Sequence, residues 1–299
     1  MQQLDTQKIA QIENISKNFG EKQALNNVSL DIYSGEVLSI LGPNGAGKTT
    51  LINILLGRLS LSTGKISLFG YSPGDIKVKR LCGAMLQVSG LPDMSTVKEQ
   101  VQLFRSYYAK PMTYQQIVEL TGLEEIENQF CKNLSGGQKQ RVLFALSICG
   151  NPKLLFLDEP SAGMDVTTRN ALWKTIIQLK QQGTGIVLTT HYLAEAEQLS
   201  DQIIMLNKGK IIKQGSPDDI KSSFNCKKIR FISSIPIDNF RRLKNQEEIE
   251  HIGQYYQIKS TNSTATMQQI FAITGDISDL TITGTALEDA FLSINQTKA

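Results

Sequence analysis

Residues 36–59 read EVLSIL, then GPNGAGKT, then TLINILLGRL, and they constrain this chain more than any other stretch. EVLSIL is a short apolar run that ends at a glycine. It reads as a strand buried on both faces of a parallel sheet. TLINILLGRL carries its apolar residues at helical spacing. Between them, GPNGAGKT fills every fixed position of the pattern G-x-x-x-x-G-K-[ST]. Gly42, Gly45 and Gly47 let the backbone curl so that several N–H groups point inward. The start of the following helix adds a partial positive charge. Such a loop cradles the phosphates of a nucleoside triphosphate. Lys48 reaches the terminal phosphates, and the Thr49 hydroxyl can ligate Mg²⁺.

LLFLDEP, residues 154–160, is a second apolar strand, and it ends in two acids. Ligands of open α/β sheets gather at the carboxyl ends of the strands. Asp158 is therefore expected beside the phosphate loop, in the Mg²⁺ shell. Glu159 is placed to polarise a water for in-line attack on the γ-phosphate. Residues 9–32 alternate as two strands around Gly20-Glu21, and residues 64–70 read as another strand. Residues 95–130 are mostly helical in pattern, with Thr113 as a cap. RVLFALSI and RNALWKTIIQLKQQ read as helices, GIVLTT as a strand, LAEAEQLS as a helix and QIIMLNKGKIIKQG as a hairpin. Strands alternating with helices imply an α/β fold with a largely parallel sheet.

The pattern changes near residues 216–221. Beyond it come KIRFISSI (strand), IDNFRRLKN (helix), a Tyr-rich strand, TATMQQIFAIT (helix), LTITG (strand) and LEDAFLSIN (helix). The expected division is a nucleotide-binding domain over 1–219 and a small α+β domain over 220–299.

Composition excludes several classes. At 299 residues, with 40% apolar and 20% charged, the chain can bury a sizeable core and is not disordered. A net charge of +3 is too mild for a phosphate-backbone binder, so nucleic acid is not expected as a partner. Cys82, Cys131, Cys149 and Cys226 lack metal-site spacing and read as reduced thiols. The opening MQQLDTQKIAQIEN is polar and includes acids, unlike a signal peptide. No run approaches the ~18 apolar residues of a membrane span. Action at a membrane would need spans supplied by a partner.

LSGGQ, residues 134–138, precedes the helical run RVLFALSI. Ser135 reads as an N-cap, and Gly136 and Gly137 clear space for close approach. The helix that follows points its N-terminus outward, which makes a second anion site. A chain with its own phosphate loop has no evident use for one.

The set GPNGAGKT, Gln87, LSGGQ, LLFLDEP and His191 resembles the ATP-binding subunits of ABC transporters, in the family's order and over about residues 8–220. The resemblance implies a P-loop NTPase core with an antiparallel β subdomain and a helical insert, here about 89–145. It implies two cassettes packed head to tail with ATP sandwiched between them, so that LSGGQ serves the other copy's γ-phosphate. By that resemblance Gly42, Pro43, Asn44, Gly45, Ala46, Gly47, Lys48, Thr49 and Thr50 bind nucleotide. Ser135, Gly136, Gly137 and Gln138 bind it from across the dimer. Glu159, His191 and Gln87 are catalytic, His191 being similar to the family's switch histidine. Thr49, Gln87 and Asp158 surround Mg²⁺. SAGMD, 161–165, resembles the D-loop, with Asp165 aligning the protomers. Phe19 stands where the family usually has a Tyr stacked on adenine; it keeps the π-face and lacks the hydroxyl.

The helical insert of such proteins receives a coupling helix from a membrane permease. The ending TGTALEDAFLSIN resembles the C-terminal extension of ATPases from bacterial drug, antibiotic and lipid exporters. The implied protein is a peripheral ATPase on the cytoplasmic face of the cell membrane, powering export through integral-membrane permease subunits. Its second cassette is identical or a paralogue. The rival is a soluble ABC ATPase acting on ribosomes or nucleic acid. Ribosome-acting types usually join two cassettes, whereas one LSGGQ occurs here. DNA-repair types insert long coiled coils, whereas Lys48 and Ser135 are only 87 positions apart (135 − 48), without sustained heptads.

Overall fold

A computed structural model describes residues 7–86, 90–222, 227–241 and 243–284. The chain divides into two units, Met1–Ser216 and Pro217–Ala299.

The first unit opens with the hairpin β1 (Lys8–Phe19) and β2 (Lys22–Tyr33), followed by β3 (Val37–Leu41) and α1 (Lys48–Leu55). Then come β4 (Thr63–Leu68), α2 (Ile76–Leu81) and β5 (Cys82–Met85). A helical stretch follows: α3 (Val97–Ser106), α4 (Tyr114–Thr121) and α5 (Gly136–Ile148). The unit closes with β6 (Leu154–Asp158), α6 (Val166–Gln181), β7 (Gly185–Thr189), α7 (Leu193–Leu199), β8 (Gln202–Asn207) and β9 (Lys210–Gly215). The central sheet runs β5-β6-β7-β3-β8-β9. All its pairings are parallel except β8 with β9. A separate antiparallel sheet runs β2-β1-β4.

Strands β3, β6 and β7 are buried along their whole length, because both faces of the sheet are covered. Their period-two alternation sends neighbouring side chains into different cores. Phe156 and Val187 join Ile12, Leu25, Leu51 and Ile52, under α1 and the antiparallel sheet. Leu155, Leu157, Ile186 and Leu188 join Phe144, Ile148, Leu172 and Ile176, under α5 and α6. Truncating a side chain like Phe156 to Ala would cost about 3–5 kcal/mol. The helical stretch has a third core that includes Val97, Val101, Ile117, Val142 and Leu146.

Each helix of that stretch begins with a capping box: Thr96 with Glu99, Thr113 with Gln116, and Ser135 with Gln138. A cap of this kind stabilises its helix by about 1 kcal/mol. Helix α1 is shorter than its apolar spacing suggests. Gly57 takes a φ of +69°, and a Cβ there would lie 2.3 Å from Gly74, so the chain has already left the helix.

The second unit contains α8 (Pro217–Ser222), β10 (Lys227–Ile232), β11 (Gln246–Ile252), β12 (Tyr255–Ser260), α9 (Ser263–Ile273) and β13 (Ser278–Gly284). Its antiparallel sheet has the order β11-β12-β10-β13. The core gathers Phe231, Phe240 and Tyr256, with Ile258, Met267 and Ile270. One expectation is corrected here, and one strand is added that the pattern did not indicate. IDNFRRLKN forms only a 3₁₀ turn at Ile237–Asn239, because Phe240 and Leu243 fold directly into the core. QEEIEHI forms β11 despite its charges, because pairing with β12 supplies its backbone partners. LEDAFLSIN lies outside the described residues.

Candidate functional site

The loop after β3 is held by close backbone packing. At Gly42 a Cβ would meet the Leu206 carbonyl oxygen at 2.2 Å, so contact rather than curl requires glycine there. Gly47 takes a φ of +110°, and its Cβ would lie 2.7 Å from the Ala24 carbonyl oxygen. The Ala46 methyl is buried, its N–H donates to Pro43 O at 3.1 Å, and its carbonyl accepts from Gly209 N at 2.9 Å. Gly47 caps α1 without a side-chain hydrogen bond, which leaves the first helical N–H groups for an anion. Asn44, Gly45 and Thr49 are exposed, while Pro43 and Thr50 are half-buried.

Lys48 Nζ folds back over the loop and donates to Gly42 O at 2.6 Å and Pro43 O at 3.2 Å. Burial lowers its pKa, and the nearby carboxylates of Glu159 and Asp158 oppose that shift. Lys48 is thus a cation already in the field of both acids.

Asp158 reaches the loop by a route the sequence does not reveal. Strand β7 separates β6 from β3. Register aligns Asp158 with Thr189, and Thr189 with Ile40, in one row across the three strands. The Thr189 hydroxyl donates to Asp158 Oδ1. Thr189 carries no sequence signal beyond its place two residues before His191.

Glu159 adopts a φ of +54°, in the left-handed region. Such a conformation in a non-glycine costs on the order of 1–3 kcal/mol and clusters at functional sites. Its N–H donates to Thr189 O at 2.9 Å. The side chain is 12% exposed, and its Oε2 lies 2.5 Å from His191 Nδ1 and accepts from His191 N at 3.2 Å. A proton on Nδ1, directed at the carboxylate, leaves Nε2 as the outer nitrogen of an imidazole that is 78% exposed.

Asp165 caps α6, accepting from Thr168 N at 2.9 Å and from Thr168 Oγ1 at 2.8 Å. These bonds hold its carboxyl below the usual aspartate range. At the start of α5, Ser135 Oγ accepts from Gln138 N at 3.3 Å, and Gln138 Oε1 accepts from Ser135 N at 2.8 Å. The S-x-x-Q spacing signals this box. The Gln138 carboxamide oxygen is therefore engaged within the cap, while the Ser135 O–H stays available to an outside acceptor. Around Gly136 there is open space, and Gly137 faces only the Gly163 carbonyl oxygen of the 161–165 loop. Among the described residues, no hydrogen bond or ion pair joins 135–138 to residues 42–49.

Phe19 ends β1 beside the Gly20 turn, 47% exposed, with Lys17 Nζ 4.9 Å from its ring centroid. Gln87 lies outside the described residues. No cluster of three or more His, Cys, Asp or Glu able to hold a metal occurs among the described residues. A cation here would rely on hydroxyl, carboxylate and phosphate oxygens, the set Mg²⁺ accepts.

The family model for the ABC transporter matches residues 25–162. The Nod factor export ATP-binding protein I of Rhizobium johnstonii is 34% identical over 230 residues, 74% of each chain. The chain belongs to the ABC transporter family. A protein of the same name from Ralstonia nicotianae is 33% identical over 71% of this chain and 68% of its own. Among solved structures, an ATP-binding subunit of an ABC transporter superposes with a TM-score of 0.66 at 28% identity, covering 72% of this chain and 93% of that one. A cassette solved as a dimer in a post-hydrolysis state, bound to ADP and Pi, gives 0.63 at 28% identity, covering 69% and 98%. This ABC cassette is a nucleotide-binding ATPase with the P-loop NTPase fold. No helix among the described residues is long and apolar enough to cross a membrane.

Proposed function

We propose that this cassette hydrolyses ATP in a head-to-tail dimer and thereby powers export through a separate membrane permease. The observation that carries the reading is the split site. Residues 42–49, Asp158, Glu159 and His191 gather at the carboxyl ends of β3, β6 and β7. The Ser135 hydroxyl proton and the Gly136 and Gly137 amides instead have no hydrogen-bond acceptor of their own among the described residues, the Ser135 oxygen being bonded only within its cap. A γ-phosphate held by a second copy is the ligand that would complete them.

In this reading Lys48 and the backbone of 42–50 hold the phosphates, and Phe19 stacks on adenine. Thr49, Asp158 and Gln87 would hold Mg²⁺, which would neutralise charge on the β- and γ-phosphates. The donor set fits, since a hydroxyl and a carboxylate plus phosphate oxygens are typical of Mg²⁺ sites. Glu159 orients and deprotonates the attacking water. His191 contacts the γ-phosphate through Nε2 while Glu159 holds Nδ1. Ser135, Gly136, Gly137 and Gln138 close on the opposite nucleotide, and Asp165 aligns the protomers. Contacts made only in the closed dimer are what would couple nucleotide state to motion.

Exposed apolar side chains on the helical stretch, Met94, Leu103, Tyr107 and Phe130, suit docking of a permease helix. Placement at the cytoplasmic face of the membrane follows from that partner. We assign residues up to about 219 to the cassette and the remainder to an accessory domain. Similarity to Nod factor export ATP-binding proteins supports this reading over action on ribosomes or nucleic acid.

Dilution tests it. The ATPase rate per molecule should fall as dimers separate. A rate that stays flat in molecules shown to be monomeric throughout would sink the proposal, and so would purification from membranes with no spanning protein attached.

A further inference from the structure

Helix α7 begins just after His191, yet its N-cap, Tyr192, makes no side-chain capping bond. The entry is steadied by Thr190 Oγ1, which accepts from Tyr192 N at 2.9 Å. One turn further on, Glu195 is 0% exposed. One of its carboxylate oxygens accepts from Trp173 Nε1 on α6 at 2.8 Å. The other has no hydrogen-bond partner among the described residues. Arg169, a turn before Trp173, lays its guanidinium 4.4 Å from the Tyr192 ring centroid and 5.8 Å from that of Trp173. The Trp173 and Tyr192 rings lie 6.3 Å apart.

A fully buried carboxylate with a single donor opposes folding, and an apolar pair at 173 and 195 would avoid that cost, whereas an apolar residue at 195 alone would leave the Trp173 N–H unpaired. Stability therefore does not explain a glutamate at this position. Its bond does something else: it spans from α7, which follows the His191 turn, to α6, which Asp165 caps. A hydrogen bond fixes direction as well as distance, which apolar packing does not.

We propose that Glu195 is a positioning residue. Its bond to Trp173 ties the His191 turn to α6 and keeps the imidazole against Glu159. The inference rests on the reading of Glu159 and His191 as hydrolytic groups. Loss of the tie lets α7 turn and opens the His191–Glu159 contact, while the phosphate loop at 42–50 and the Phe19 ring stay in place.

The test compares ATP turnover and melting temperature in Glu195→Leu, Glu195→Gln and the double variant Trp173→Phe/Glu195→Leu. Glu195→Leu should lower kcat about ten- to a hundredfold with KM for ATP unchanged, as expected of a misplaced catalytic group. Glu195→Gln keeps an acceptor oxygen and should retain parental kcat. The double variant removes both polar partners, so its melting temperature should recover toward the parent's, while kcat stays low. Recovery of kcat along with stability would reduce Glu195 to a packing residue and overturn the proposal. So would a Gln variant as impaired as Leu, or a rise in KM at constant kcat. Lys48→Ala, run alongside, separates the two levels: if it turns over ATP like the parent, the nucleotide-site reading has failed and this inference falls with it.

Discussion

The Glu159 carboxylate and the His191 imidazole meet at 2.5 Å across 32 positions of sequence. Neither reaches the other by local geometry. Glu159 leaves β6 in a left-handed conformation, and His191 leaves β7, the strand alongside. Removing the charge of Glu159 should therefore stop proton transfer without disturbing the loop that binds nucleotide. Glu159→Gln should lower kcat about 10²–10⁴-fold and accumulate as an ATP-bound dimer, seen by light scattering during size-exclusion chromatography. Turnover at the parental rate would overturn the proposal that Glu159 is the base.

Lys48→Ala should abolish nucleotide binding or turnover. The half-buried ammonium is the side-chain cation at the loop, and its two bonds to Gly42 and Pro43 carbonyls are lost too. Each such bond contributes on the order of 1 kcal/mol, so the loop should also exchange its amide hydrogens faster. Binding of a fluorescent ATP analogue at parental affinity would contradict the assignment.

Ser135→Arg should fold as a monomer yet fail to close as a dimer. Ser135 is exposed, so the larger side chain has room. Losing the cap costs about 1 kcal/mol, which lowers Tm by about 2–4 °C in a domain of this size. ATP-dependent dimerisation like the parent's would exclude the start of α5 from the shared site.

Burial pushes the thiol pKa of Cys82 and of Cys149 up to about 12. A raised value means the thiolate is scarce below it: about one molecule in 10⁴ at pH 8. Both residues should resist maleimide in the folded protein at pH 8 and react once denaturant exposes them. Rapid native labelling, mapped by mass spectrometry, would show that the start of β5 opens readily if at Cys82, or the end of α5 if at Cys149.

A glycine-rich loop between an apolar run and a helical pattern, three S/T-x-x-E/Q starts, and acids at a strand's end are all local signals. Each depends on hydrogen bonds or periodicities confined to a few neighbouring residues, which is why the phosphate loop, the Thr113 and Ser135 caps of α4 and α5, and the α/β class follow from the sequence by itself, while the Thr96 cap of α3 carries the same spacing and went unread. Strand order is different. That β7 lies between β3 and β6, and that Thr189 thereby holds Asp158, is decided by which apolar faces cover which, across more than a hundred residues. The same holds for β11, a charged run that becomes a strand only because β12 offers it backbone partners. It holds too for the Trp173–Glu195 tie, whose members belong to different helices. Side chains distant in sequence meet only when burial of the shared cores offsets the entropy of closing the chain between them, and that balance is struck by the tertiary structure as a whole.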